Sequence, residues 1–229
     1  MKRFVLICSI VLGVHAGSVW AAPIQADIVF VLDNSYSMMR KLPLIKSRLA
    51  QFNAAMVANN IDAEYALVKF GHVERLLTDL GPFTGLASPL ATLHGKSNNP
   101  ERGSAAVELA MSSITFRPGA VKNIILITDE DDDSPLSAFT GADSILGSTD
   151  AFFNFIGVPG VNNTDSRYGV LAANHHGTAF DIHDFVAHPD DFFSEFIDVK
   201  LSEITAPEPA TLVLLSVGGL VALRRRHLS

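Results

Sequence analysis

The sequence predicts an α/β fold: a doubly wound, mostly parallel central sheet with helices on both faces. Two observations carry this prediction. The runs Asp27-Ile28-Val29-Phe30-Val31-Leu32 and Val121-Lys122-Asn123-Ile124-Ile125-Leu126-Ile127-Thr128 are nearly continuous apolar segments, the pattern of strands buried on both faces. Segments with helical spacing lie between these and further strand-like runs, and such alternation builds parallel sheets through right-handed crossovers.

In chain order, the run from Asp27 opens the sheet, and Met38 to Asn59 follows as a helix with Met39, Leu42, Ile45, Leu49, Phe52 and Met56 on its apolar stripe. Glu64 to Phe70 and Val73 to Leu77 are shorter strands around Gly71-His72, the pattern of a hairpin. Gly103 to Ser113 reads as a helix and Val121 to Thr128 as a strand. Ala151 to Val158 and Thr178 to Ile182 read as further strands, and Asp190 to Glu203 as a closing amphipathic helix with Phe192, Phe193 and Phe196 in the core. No internal repeat or linker interrupts residues 26–204, which therefore form one domain.

Two targeting segments flank this domain. Lys2-Arg3, the apolar run Phe4 to Val14 and the small residues that follow make residues 1–21 a signal peptide, with cleavage expected after Ala21. The single cysteine, Cys8, would leave with it, so stability must come from the core rather than from disulfides. At the other end, Pro207-Glu208-Pro209 precedes an uncharged run from Ala210 to Leu223 and the cluster Arg224-Arg225-Arg226. That run would span about 21 Å as a helix, short of a hydrocarbon core of roughly 30 Å. It is therefore a weak anchor, with the arginines as stop-transfer charges on the cytoplasmic side.

Charge narrows the partners. The chain carries 24 acidic and 17 basic residues, and five of the basic ones (Lys2, Arg3, Arg224, Arg225, Arg226) sit in the flanking segments. The acidic middle repels phosphate backbones, which excludes nucleic acid and favours cations.

Ligands in open α/β sheets bind beyond the carboxyl ends of the strands. The two most apolar strands end in Asp33-Asn34-Ser35-Tyr36-Ser37 and Asp129-Glu130-Asp131-Asp132-Asp133. Asp33, Ser35 and Ser37 alternate, so their oxygens can turn toward one point, as a hard divalent cation requires. Two aspartates and two serines leave such an ion open positions for water or an incoming carboxylate. Ser37 can instead cap the next helix, and Glu130 to Asp133 reads as a solvated acidic loop.

The pattern Asp33-x-Ser35-x-Ser37 after an apolar strand, followed by Asp129 after the second, resembles the metal-ion-dependent adhesion site of von Willebrand factor type A domains, over nearly all of residues 26–204. The resemblance implies a Rossmann-like sheet and Mg2+, exchanging with Mn2+ or Ca2+, at its top. That family places a threonine in a glycine-rich loop between the two motifs. The loop Gly95 to Gly103 has none, so Ser97 or Glu101 is the candidate stand-in. The tail is similar to the PEP-CTERM sorting signal of Gram-negative bacteria. This implies transient inner-membrane anchoring, removal of the tail near Pro207-Glu208-Pro209 by an exosortase, and delivery to the cell surface or extracellular matrix.

Enzyme readings fail on the residues. A haloacid-dehalogenase-type phosphatase needs a second acid where Ser35 stands. Gly95-Lys96-Ser97 lacks both the earlier glycine and the preceding strand of a phosphate loop. No Gly-x-Ser-x-Gly elbow is present, and His175-His176 and His183 read as loop histidines. The expectation is a non-catalytic, exported binding module that engages a protein or matrix ligand through a divalent ion. Its rival is a structural matrix component in which the ion only pins the loops.

Overall fold

The alternation of β1 (Ile24–Asp33) decides the layers. Ile28, Phe30 and Leu32 enter one core and Val29 and Val31 the other, all at most 1% exposed, as period-two geometry requires of a strand covered on both faces. The computed structural model describes residues 22–96 and 100–206. The signal segment, Ser97, and the tail with Pro207-Glu208-Pro209, its apolar run and Arg224-Arg225-Arg226 lie outside the described residues. Among those described, no helix is long and apolar enough to cross a membrane.

A 3-10 turn (Tyr36–Arg40) and α1 (Leu42–Ala58) follow β1 and lead into β2 (Ile61–Phe70) and β3 (Arg75–Thr78). After a second 3-10 turn (Phe83–Leu86) come α2 (Ala87–Ala91), α3 (Gly103–Ser113), β4 (Val121–Ile127), α4 (Leu136–Ser148) and β5 (Phe152–Gly157). The chain closes with α5 (Val170–Asn174), β6 (Ala179–Asp181), α6 (Ile182–Ala187) and α7 (Pro189–Thr205). The six-stranded sheet has the order β3-β2-β1-β4-β5-β6, parallel except for the β2–β3 hairpin. Strand order reverses between β1 and β4, so the crevice beyond their carboxyl ends is the switch point.

Helices α2, α4, α5 and α6 have no counterpart in the sequence reading, and two elements that it does contain differ. The first helix splits, because Lys41-Leu42-Pro43 starts α1 afresh with a proline at its opening. The preceding turn is 3-10, with three residues per turn, so Met38 rather than Met39 points inward; Met38 is fully buried and Met39 is 41% exposed. Helix α4 buries Ala138, Ala142 and Leu146 on one face, a stripe made mostly of small residues, with Gly141 facing the Glu108 carboxylate of α3. The strand expected over Thr178 to Ile182 is short and lies at the sheet edge.

Helix α7 runs against the strand direction. Phe192 and Phe193 lie with Ile127 and Ile156 at the strands' carboxyl ends, while Glu203 bonds Asn123 near the start of β4. The helix therefore ends toward the amino edge of the sheet, where β1 also begins.

Candidate metal-binding site

Asp33 is the last residue of β1 and is fully buried. One carboxylate oxygen, Oδ1, accepts the Ser35 backbone N–H at 2.7 Å, folding the chain into a turn that aims the Ser35 hydroxyl back toward the strand end. The other, Oδ2, accepts the Thr128 hydroxyl at 2.8 Å, joining β1 to the end of β4. Ser37 Oγ lies 2.9 Å from Ser35 Oγ and donates to Asp129 Oδ1 at 2.7 Å. Its single proton is then spent, so Ser35 is the donor in the serine pair. Asp33, Ser35, Ser37 and Asp129 are therefore gathered at the switch point. The Ser37 hydroxyl reaches across to Asp129 and makes no helix cap.

Glu101 sits just before α3 and is 3% exposed. Its loop is tied down by paired backbone contacts to Asp133, the N–H of Glu101 meeting Asp133 Oδ2 at 3.0 Å. Among the described residues, no three His, Cys, Asp or Glu side chains converge closely enough to cage an ion. Glu101 feels the charge of Asp33 across the site, but does not form a close three-carboxylate group with Asp33 and Asp129.

The electrostatics are those of a site short of positive charge. Burial, with the Asp129 charge beside it, pushes Asp33 up to about 6 against the hydrogen bonds from Ser35 and Thr128. Burial and the charges of Asp33, Glu130 and Asp133 push Glu101 up to about 7, and Glu130 is raised by burial and its acidic neighbours. The donors are carboxylate and hydroxyl oxygens, the set that suits a hard divalent cation, so these residues fit such an ion.

Sequence reasoning missed three residues. Thr128, buried, orients Asp33; its signal is a hydroxyl closing an otherwise apolar strand. Lys41 forms a short ion pair with Asp129 Oδ2. Asp132 corrects the reading of a solvated acidic loop, because it is 2% exposed. Its carboxylate accepts the Ser104 N–H in the first turn of α3 at 3.2 Å, the Ser104 hydroxyl, and the Ser134 N–H at 3.1 Å. The residue preceding α3, Arg102, supplies no side-chain cap, and an acid from the neighbouring loop serves instead. Asn163 clasps the Asp132 backbone from both sides. His176 is in a turn, while His175 ends α5 beside Asp143 and His183 opens α6.

Among solved structures, the fold is similar to the SpRpn10 VWA domain, at 11% identity and TM-score 0.54 over 68% of this chain and 87% of that one. It is also similar to an aerotolerance-related membrane protein from Bacteroides fragilis, at 15% identity and TM-score 0.53 over 76% of this chain and 98% of that one. Proximal thread matrix protein 1 from the mussel byssus, with a zinc-occupied MIDAS motif, matches at 17% identity and TM-score 0.57 over 77% of this chain and 46% of its own. No curated protein matches the sequence. Residues 205–226 match the PEP-CTERM protein-sorting motif, and residues 27–195 match the von Willebrand factor type A domain. With a sheet of that topology and most of its length covered by the match, the chain belongs to the von Willebrand factor type A domain family.

Proposed function

We propose that the domain is an exported surface or matrix binding module that engages a protein or matrix ligand through a divalent cation held by Asp33, Ser35, Ser37 and Asp129, with Glu101 adding charge nearby. The observation that carries this is the bonded chain Ser35–Ser37–Asp129, which brings the ends of β1 and β4 to one all-oxygen point at the switch of strand order. Bound there, the ion would supply an electrophilic position for a partner's carboxylate. Mg2+ is the expected occupant, with Mn2+ and Ca2+ as alternatives, and the zinc-occupied motif of the byssus protein supports a divalent ion in this fold. The reading assigns no reaction to the site, in keeping with a family of interaction modules. The tail match supports recognition by an exosortase at Pro207-Glu208-Pro209, with Arg224, Arg225 and Arg226 holding the segment transiently in the inner membrane. The second reading, a structural matrix component whose ion only braces the loops, is favoured by the burial of Asp33 and Ser35, which are 0% and 1% exposed.

Thermal melting in EDTA, Mg2+, Mn2+, Ca2+ and Zn2+ tests the site. An ion at 100 times its dissociation constant is expected to add about 2.7 kcal/mol, or roughly 5 to 11 °C for a domain of this size. Asp129→Asn should abolish the gain. A gain in no ion, or one that survives Asp129→Asn, would sink the proposal. If the gain is lost with Asp129→Asn while binding to surface or matrix material is unchanged, the bracing reading stands in place of adhesion.

The pH dependence follows from the raised acids. Asp33 near 6 and Glu101 near 7 lie above their ordinary values of 3.8 and 4.5, so the ion-free folded state holds protons that the unfolded chain has released. Their contribution to ion-free stability therefore grows as pH falls from about 7 toward 4. The ion needs the same groups ionised, so its melting gain should shrink over that window. An ion-induced gain equal at pH 5 and pH 8 would contradict this assignment.

A further inference from the structure

Lys41 stands where its charge is electrostatically misplaced. It occupies the N-cap of α1, a 17-residue helix with no acidic residue in its first turn and no side-chain cap. That end of a helix carries partial positive charge and favours anions. What holds the ammonium there is the site itself, since Nζ donates to Asp129 Oδ2 and lies 3.4 Å from the Ser37 carbonyl oxygen. The carboxylate and the serine that position Lys41 are the same ones proposed to hold the ion. Two cations on one Asp129 carboxylate, beside the positive end of a helix, repel one another.

We propose that Lys41 is the internal counter-ion of this site: it neutralises Asp129 when no divalent ion is bound, must be displaced for the ion to enter, and so sets the ion concentration at which the site becomes competent to bind its partner. The inference rests on the metal reading above. The side chain is 22% exposed, which gives the ammonium a route to solvent, and its four-carbon stem is flexible. Glu130, whose carboxyl group already feels the Lys41 charge, is the neighbouring anion that receives it after displacement. The exchange gives the ion-free site a stable resting form and keeps trace cations from loading it.

The test is titration of the purified protein with Mn2+ and with Mg2+, by calorimetry and by melting, for the unaltered chain, Lys41→Met, Lys41→Gln and Lys41→Arg. Removing the charge should tighten ion binding on the order of tenfold, the size of a like-charge interaction at a few ångströms near a surface. Lys41→Arg should stay within about twofold of the unaltered chain. The melting data carry a second signature. In EDTA the neutral variants should melt below the unaltered chain, because Asp129 has lost its partner, whereas in saturating ion that deficit should vanish or reverse. A merely structural lysine would lower both melting temperatures equally. Lys41→Gln keeps a polar stem and stands in if Lys41→Met folds poorly by circular dichroism. If the unaltered chain binds ion and the neutral variants bind no more tightly, the counter-ion role is overturned and the metal site survives. If no form binds ion, the metal reading fails and takes the counter-ion with it.

Discussion

Glu203→Ala is expected to destabilise the fold by about 3–5 kcal/mol, a drop in Tm of roughly 6 to 20 °C. Lys200 is fully buried in α7. Its ammonium donates to both Glu203 carboxylate oxygens, at 2.7 and 2.8 Å, and lies near the faces of Phe180 and Phe196. Glu203 also accepts from Asn123 at 2.7 Å and from Asn154 at 3.1 Å, and Asn154 in turn accepts the Thr178 N–H that leads into β6. Deleting the carboxylate leaves a charge without its partner and two strand amides without their acceptor. Burial, only partly offset by Glu203, already pushes Lys200 down to about 8 from 10.5, so the unfolded chain binds the extra proton between those values. This lysine's cost to stability is therefore relieved as pH rises through that window. The loss in Glu203→Ala should likewise be smaller at pH 10 than at pH 7, and Lys200→Met with Glu203→Gln should recover most of it. Chemical denaturation at the two pH values checks both statements.

The other large effect is expected at the opposite face of the same sheet edge. Asp27→Ala should cost about 3 kcal/mol, toward the lower end for breaking a buried ion pair because Arg117 keeps other partners. Asp27 is fully buried near the start of β1, and its carboxylate takes the Arg117 backbone N–H at 2.7 Å and Nε at 2.6 Å. Arg117 also donates to the carbonyl oxygens of Ala26 and Asp62 and pairs with the Asp62 carboxylate at 3.0 Å, so one side chain ties the loop before β4 to β1 and β2. Asp27→Asn keeps an acceptor and should cost less than Asp27→Ala. Equal losses in the two variants would show that charge, not shape or an acceptor oxygen, is what the position supplies.

The strands, and the grouping of Asp33, Ser35, Ser37 and Asp129, were legible because each obeys a local rule. Asp27 to Leu32 is apolar at every position after its first because β1 is covered on both faces, and the spacing of Asp33-x-Ser35-x-Ser37 brings Ser35 and Ser37 side by side beyond the strand end. What was not legible depends on partners distant in sequence. Helix α4 buries Ala138, Ala142 and Leu146, and with two alanines on that face its apolar stripe is faint until α3 packs against it. Asp132 resembles its neighbours Asp131 and Asp133 in the sequence and differs only because the uncapped start of α3 lies against it. Lys41 reads as an ordinary surface cation until β4 delivers Asp129 beside it. Charge runs are therefore the least transparent part of this sequence: the ladder does not say which acid faces inward.

The course of α7 has a consequence at a larger scale. Because it returns the chain to the amino edge of the sheet, where β1 begins, both ends of the domain lie toward one pole and the cluster at Asp33 and Asp129 lies at the other. A short tether attached at either end therefore leaves the cluster on the side of the domain away from the attachment point. Copies held side by side by short tethers would then keep these clusters away from the surface that holds them. On the proposed adhesion reading, such an array would meet an extended partner at several points at once, and weak individual contacts would sum.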